Sequence, residues 1–201
     1  MYKIKIKYFD KNIILIEKPL GIEITNILKK KIKNNLPNKG ILNRLDKYTS
    51  GIILIARNVF FYFFYKKILI KKIIKKTYIS IINKEIYKGF INLSILKKKK
   101  IFIKKNFKKS LTFYKIFKNK NYKSLIYIYI KTGRTHQIRK HLNYSKINIL
   151  NDLYYNKKKK FINTLHYKNV SFYYPLFMKN FNLSCNIPIE MKKIFLFNFL
   201  K

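Results

Sequence analysis

Residues 43–56 read NRLDKYTSGIILIA. The second half, GIILIA, is a compact β-branched run, which predicts a strand buried on both faces. The first half is polar and predicts a loop or strand edge that delivers side chains toward a cleft. If that segment is extended, Arg44 and Asp46 point to one side and Leu45 points into the core. An adjacent arginine favours the charged form of a carboxylate, so Asp46 suits a nucleophile or a general base better than an acid. An ordinary surface pair, or an aspartate capping a turn, is the plainer reading of the same residues. Thr49, Ser50 and Gly51 read as turn chemistry closing the loop. A serine hydrolase would need Ser50 on a strand-to-helix elbow, whereas Ser50 leads into a strand.

Arginine and aspartate are scarce in this chain. Of 201 residues 47 are Lys or Arg, but the arginines are only Arg44, Arg57, Arg134 and Arg139, and the aspartates only Asp10, Asp46 and Asp152. The prevailing Lys, Ile, Asn, Phe and Tyr are what A/T-rich codons encode, so much of the lysine excess reads as nucleotide drift. A formal net charge of +40 still favours RNA, DNA or an anionic surface as partner, without choosing among them. Residues that the background disfavours carry more information, and three of the four arginines fall in NRLDKYTSG and KTGRTHQIRKHL.

With 48% hydrophobic and 17% aromatic residues, the chain can bury a real core, and residues 1–201 are expected to form one domain. Cys185 is the only cysteine, which excludes an intrachain disulfide framework and a cysteine zinc site; it reads as a buried neutral thiol. Lysines interrupt every apolar run of the N-terminus, unlike a signal peptide. The longest apolar span, residues 51–65, contains Arg57 and falls short of the roughly 18–20 residues a membrane helix needs. A cytoplasmic protein that does not enter a membrane is expected.

Working outward, KIKIKYFD alternates strictly and IILIEKPLG is a short apolar run, giving two early strands around a turn at 10–12. ITNILKKKIKN spaces its apolar residues as a helix, and residues 58–75 read as a helix dense in aromatics. KKTYISIIN (75–83) and SLIYIYIKTG (124–133) are strands. Between 84 and 123 short apolar patches (FINLSIL, KIFIKKNF, LTFYKIF) suit hairpin strands. NKKKKF reads as an exposed loop, FINTLHYKNVSFYYP as two short strands, and residues 191–199 as a helix or strand. In GRTHQIRKHL, Gly133 permits a tight turn and Thr135 is the expected N-cap of a helix. Arg139 lies one turn beyond Thr135, where it can reach a carboxylate or clamp a phosphate. His136 and His141 are five apart, so they do not share a face as a helical zinc pair does.

Five segments in order resemble the RluA/RluD-type RNA pseudouridine synthases. They are LIEKPLG (the KP-x-G strand), NRLDKYTSG (HRLD-x-x-TSG), KKTYISII (K-x-Y), KTGRTHQIRKHL (TGRTHQIR-x-H-L) and LHYKNVSFYYP (LHA…F-HP). The resemblance implies an α+β fold, with a mixed, mostly antiparallel sheet, flanking helices and a central cleft. It implies isomerisation of uridine to pseudouridine in RNA with neither cofactor nor metal. By that likeness Asp46 is the catalytic aspartate, Tyr78 stacks on the flipped target base, and Arg139 is the arginine paired with the catalytic carboxylate. Arg44 then fills space beside the flipped nucleotide, and Arg134, Thr135, His136 and Gln137 belong to the RNA-binding motif. Flipping is required because the glycosidic bond is inaccessible inside a stack.

Asn43 stands where the family usually has histidine, Tyr48 where aspartate is common, and LNDLYY lacks the family's glycines while keeping Asp152 and Tyr154. The chain begins almost at the catalytic core, so a separate N-terminal S4 module is not expected. The expected partner is RNA, ribosomal large-subunit RNA first and tRNA second, acted on by a monomer. Two other classes are kept: a non-catalytic RNA-binding protein that retains the synthase fold, and a peripheral membrane or ribosome-associated structural protein resting on charge alone.

Overall fold

The computed structural model describes residues 5–95, 108–155, 163–175 and 178–200. Among these, nine strands and four α-helices form two compact units. KIFIKKNF and NKKKKF lie outside the described residues. Every strand pairing for which a register follows is antiparallel.

Unit 1 comprises residues up to Ile74 together with Tyr167–Pro188. Strand β1 (Lys5–Phe9) runs antiparallel to β2 (Ile13–Lys18), with a bulge between Ile6 and Tyr8. The turn between them is built by Asp10, whose Oδ1 accepts from the amides of Asn12 (2.7 Å) and Ile13 (2.8 Å). This is the local bonding that makes aspartate a turn residue. β2 pairs in turn with β3 (Ser50–Ala56), in register from Ile13 opposite Ala56 to Lys18 opposite Gly51. All seven residues of β3 are buried, as its unbroken apolar run predicts.

The other neighbour of β3 is β8 (His166–Tyr174), which pairs with β9 (Lys179–Ser184). Helix α1 (Ile24–Lys31) covers one patch of this layer, packing Ile24 and Leu28 against Ile16, Ile41, Ile53 and Ile55. Helix α2 (Val59–Ile70) starts at Asn58, whose side chain accepts from the Phe61 amide at 2.8 Å. It buries Phe61 edge-on to Tyr174 (5.2 Å between centroids), with Phe172 and Phe181 stacked on each other alongside (5.3 Å). Burying a ring such as Phe61 contributes roughly 2–3 kcal/mol.

Unit 2 comprises Lys75–His166 and Ile189–Lys201. Its strands lie in the order β4 (Lys75–Ile82), β7 (Lys123–Ile130), β6 (Lys108–Lys120), β5 (Gly89–Ile95). The β6–β7 hairpin closes on Asn121 and Tyr122, both with positive φ (51° and 56°), between the paired Lys120 and Lys123. That is the two-residue turn whose twist matches antiparallel strands. Helix α3 (Gln137–Tyr144) packs on β5 and β6, and α4 (Ile189–Phe199) packs on β6 with Met191 and Phe199 buried.

Among the described residues the expected elements are present, with four differences, the first being that the helix expected over 58–75 ends at Ile70. FINTLHYKNVSFYYP supplies one strand, β8, and the second strand of that region is KNFNLS, whose alternation is masked by asparagines. Thr135 does not occupy the cap position of α3. The cap position is His136, in the left-handed region (φ 53°), and it makes no side-chain capping bond. Gly133 is not the turn-former either: its φ is not positive, and an added Cβ would meet only Lys76 Nζ at 3.7 Å.

Gly51 is different. With φ at +121°, a Cβ there would sit 2.3 Å from the carbonyl oxygen and 2.6 Å from the amide nitrogen of Tyr167. Backbone, not a flexible side chain, fills the space, so only glycine fits. Gly51→Ala is therefore expected to lower the unfolding free energy by roughly 2–4 kcal/mol, measured by urea denaturation. Parent-like stability would show that β3 and β8 can separate without cost.

Candidate active site

Unit 1 carries Asp46 on the segment that enters β3. This segment is tied down before it reaches the aspartate. The Leu42 amide donates to the Leu54 carbonyl at 2.9 Å. The Asn43 side chain donates to the Ile52 carbonyl (2.9 Å) and accepts from the Leu54 amide (2.8 Å), copying one rung of a strand ladder. Leu45 packs against the apolar cluster around Ile53, as alternation predicts. Asp46 is half-buried and Arg44 exposed. A turn follows, closed by the Thr49 amide donating to the Asp46 carbonyl at 3.0 Å.

Lys18, at the end of β2, fixes the far side of that turn. Its side chain is fully buried, and Nζ donates to the carbonyls of Pro19 (2.7 Å) and Lys47 (3.0 Å). Burial lowers its ammonium pKa to about 8, with the charge of Asp46 acting in the opposite direction. In the sequence Lys18 falls within the KP segment with no role of its own. Its signal is a charged residue standing where β2 should be buried.

Unit 2 carries Tyr78 and Arg139. Tyr78 is buried in β4 opposite Ile128. Arg139 lies on α3, and α3 covers the face of the sheet to which even-numbered β6 residues point: His141 bonds Ser110 and Gln137 bonds Thr112. Tyr78 shares this face, through Ile128 and Tyr114 in register.

Arg139 is almost wholly buried and held by Asp152. Its Nε donates to Oδ2 at 2.7 Å and its Nη2 to Oδ1 at 2.6 Å, a bidentate fork. The guanidinium carbon lies 4.9 Å from the Tyr154 ring centre and 5.2 Å from that of Tyr155. Asp152 also accepts from the Tyr154 amide (3.1 Å). LNDLYY thus supplies the residues that position an arginine. Nothing in the sequence alone gives Asp152 this function; its rarity is the clue.

The remaining motif residues divide. Gln137 is buried, and its amide is consumed inside the protein. Oε1 accepts from Thr132 Oγ1 (2.7 Å) and the Arg134 amide (3.1 Å), while Nε2 donates to the Leu111 carbonyl (3.1 Å) and Thr112 Oγ1 (3.2 Å). Both donors and both acceptor positions of the Gln137 amide are thus engaged within the protein. Thr135 is exposed, and His136 is half-buried with Nδ1 3.3 Å from the Tyr155 hydroxyl. Arg134 Nε is enclosed and has no hydrogen-bond partner among the described residues. His141 is a core residue between Ser110 and the Leu93 carbonyl, and burial lowers its pKa. Cys185 is the buried thiol expected, pushed up to about 12 by burial first and by Glu17 second.

Residues 12–144 match the family described as RNA pseudouridylate synthase. Ribosomal large subunit pseudouridine synthase D of Buchnera aphidicola subsp. Schizaphis graminum is 32% identical over 225 residues, covering 94% of this chain and 71% of that protein. The protein of the same name from Buchnera aphidicola subsp. Baizongia pistaciae is 36% identical over 142 residues, 68% of this chain and 43% of its own length. Human RNA Pseudouridylate Synthase Domain Containing 4 has a similar structure, with a TM-score of 0.75 at 19% identity over 93% of this chain and 90% of that one. At that identity the likeness speaks for the fold.

Two outcomes follow from this geometry. Asp152→Asn removes one charge from a buried pair and is expected to cost about 3–5 kcal/mol of stability, read from denaturation curves. Lys18 and Lys76 both have amines lowered by burial to about 8. Between pH 8 and 10 the unfolded chain keeps protons that these folded amines have released, so stability rises with pH. Lys76→Met is expected to flatten that rise, measured by melting across the same window.

Proposed function

The chain belongs to the RNA pseudouridylate synthase family, which isomerises uridine to pseudouridine, and we propose that its substrate is large-subunit ribosomal RNA, with Asp46, Tyr78 and Arg139 carrying the reaction. The observation that carries the substrate reading is the similarity, over almost the whole chain, to a relative named for the ribosomal large subunit.

In this reading the target uridine leaves its stack, because the bond to be broken is otherwise shielded. The Asp46 carboxylate attacks the sugar or abstracts a proton while the N1–C1′ bond breaks. The base turns and re-attaches through C5, which releases Asp46 or returns its proton; C5 then loses its hydrogen as a proton and N1 gains one, so the composition is unchanged. The supports around Asp46 suit such work: the Asn43 rung, the turn to Thr49 and the Lys18 bonds keep the carboxylate's loop in one place, so little ordering is left for the reactive complex. Tyr78 offers a ring for the extruded base. Arg139, with one edge of its guanidinium held by Asp152, is a cation that keeps its position through the cycle. Arg44, Arg134, Thr135 and His136 contact the RNA strand, and the unsatisfied Arg134 Nε is a donor suited to a phosphate oxygen.

Asp46→Asn is expected to abolish pseudouridine formation, at least 10³-fold by order of magnitude, while leaving RNA binding within about twofold. Position-resolved mapping of ribosomal and transfer RNA from cells carrying parent or Asp46→Asn protein reads the outcome. Sites lost only from tRNA would move the substrate to tRNA. No site dependent on Asp46 would leave a non-catalytic RNA-binding protein.

A further inference from the structure

The unit 2 sheet has a second face, pointing away from α3. Register places Phe90 of β5 opposite Phe113 of β6, and Phe113 opposite Tyr129 of β7. Residues directly opposite in a ladder project to the same side, so the three rings form one row across three strands. Tyr78 and Arg139 belong to the other side, because Thr77, not Tyr78, is the β4 residue in register with Tyr129. The row is open to solvent: Phe90 is 66% exposed, and Phe113 and Tyr129 are each 39% exposed. Phe90 and Phe113 are adjacent, with ring centres 6.2 Å apart. An antiparallel sheet facing water ordinarily presents polar residues there, so three aligned rings need an occupant.

Charge identifies it. Strands β4, β5, β6 and β7 contain no aspartate or glutamate. On the same side as the rings, two or four residues along β4 and β6 from the row, stand the exposed lysines Lys75, Lys109 and Lys115. Rings at strand spacing flanked by cations match a polyanion with flat, unpaired bases, namely single-stranded RNA; neither an apolar helix nor a second copy of a chain with charge +40 is favoured against such a rim.

We propose that this face is a second RNA-binding surface, on which a single-stranded segment of the substrate stacks its bases on Phe90, Phe113 and Tyr129 while its phosphates meet Lys75, Lys109 and Lys115. The proposal rests on RNA being the substrate. It assigns the row to holding RNA outside the reacting nucleotide, so its loss acts on affinity and not on the chemical step.

The test uses the full chain with a fluorescent oligouridylate, and ribosomal RNA for turnover. Phe90→Leu/Phe113→Leu/Tyr129→Leu keeps apolar bulk and removes the rings. Oligouridylate affinity is expected to fall by roughly 30-fold or more, with KM for ribosomal RNA raised and the single-turnover rate at saturating RNA unchanged. Tyr129→Phe, which keeps the ring, is expected to bind as the parent does. Lys109→Gln/Lys115→Gln is expected to lower the slope of log affinity against log salt by about 1.4, near 0.7 for each phosphate no longer neutralised. If the triple variant does not fold, Phe90→Leu alone is expected to weaken binding by about fivefold.

Unchanged affinity and KM in a folded ring variant overturn the proposal. So does a ring variant that changes only sedimentation, which would make the face a contact between copies. An inactive parent whose oligouridylate binding still depends on the rings would retain this surface and overturn the isomerase reading. An active parent indifferent to the rings would do the reverse.

Discussion

Strand β3 leaves no room for adjustment. All seven of its residues are buried, β2 pairs with it along its length, and at Gly51 its backbone comes so close to Tyr167 that a methyl group would overlap a peptide. A strand buried in this way satisfies its polar groups through neighbours in fixed register. Whatever is bonded to β3 inherits that rigidity. The loop bearing Asp46 is bonded to it by the Leu42 amide and by both ends of the Asn43 amide group. The candidate catalytic carboxylate therefore sits on a loop that behaves as an extension of the core.

The same anchoring accounts for a departure in the motif. The motif that NRLDKYTSG resembles has histidine where this chain has Asn43. Here the side chain is spent on Ile52 and Leu54, and asparagine, with a donor and an acceptor on one small group, completes the rung. Tyr48 has no such account; its ring lies under the Lys47 ammonium at 5.4 Å, a surface contact.

Patterns that depend on nearest neighbours in the chain were legible. The apolar run of β3, the alternation of β4 and β7, the helical spacing of α1 and the Asn58 start of α2 are all local, and their elements stand where the residues place them. The two functional segments were visible because Arg and Asp are rare against lysine and isoleucine. What escaped depends on partners distant in sequence. Nothing in THQIR announces that Gln137 will meet Leu111 and Thr112, or that the helix will be entered through a left-handed His136 instead of a capped Thr135. β9 escaped because its apolar residues, Phe181 and Leu183, are separated by asparagines that suit a loop equally well.

Charge in this chain is informative where it is buried. Exposed lysines cost little in stability, so a formal total of +40 is compatible with the fold. A buried charge is not tolerated in that way, because each must be matched by hydrogen bonds or an opposite charge or else lose stability. Lys18 is matched by two carbonyls, and Arg139 by a bidentate aspartate beside two aromatic rings. Losing Asp152 would leave Arg139 uncompensated, whereas Lys18 is held by main-chain carbonyls that no side-chain substitution removes. Here one arrangement holds the loop of Asp46 and the other holds Arg139, so the same desolvation penalty that keeps the fold also fixes the two candidate catalytic groups.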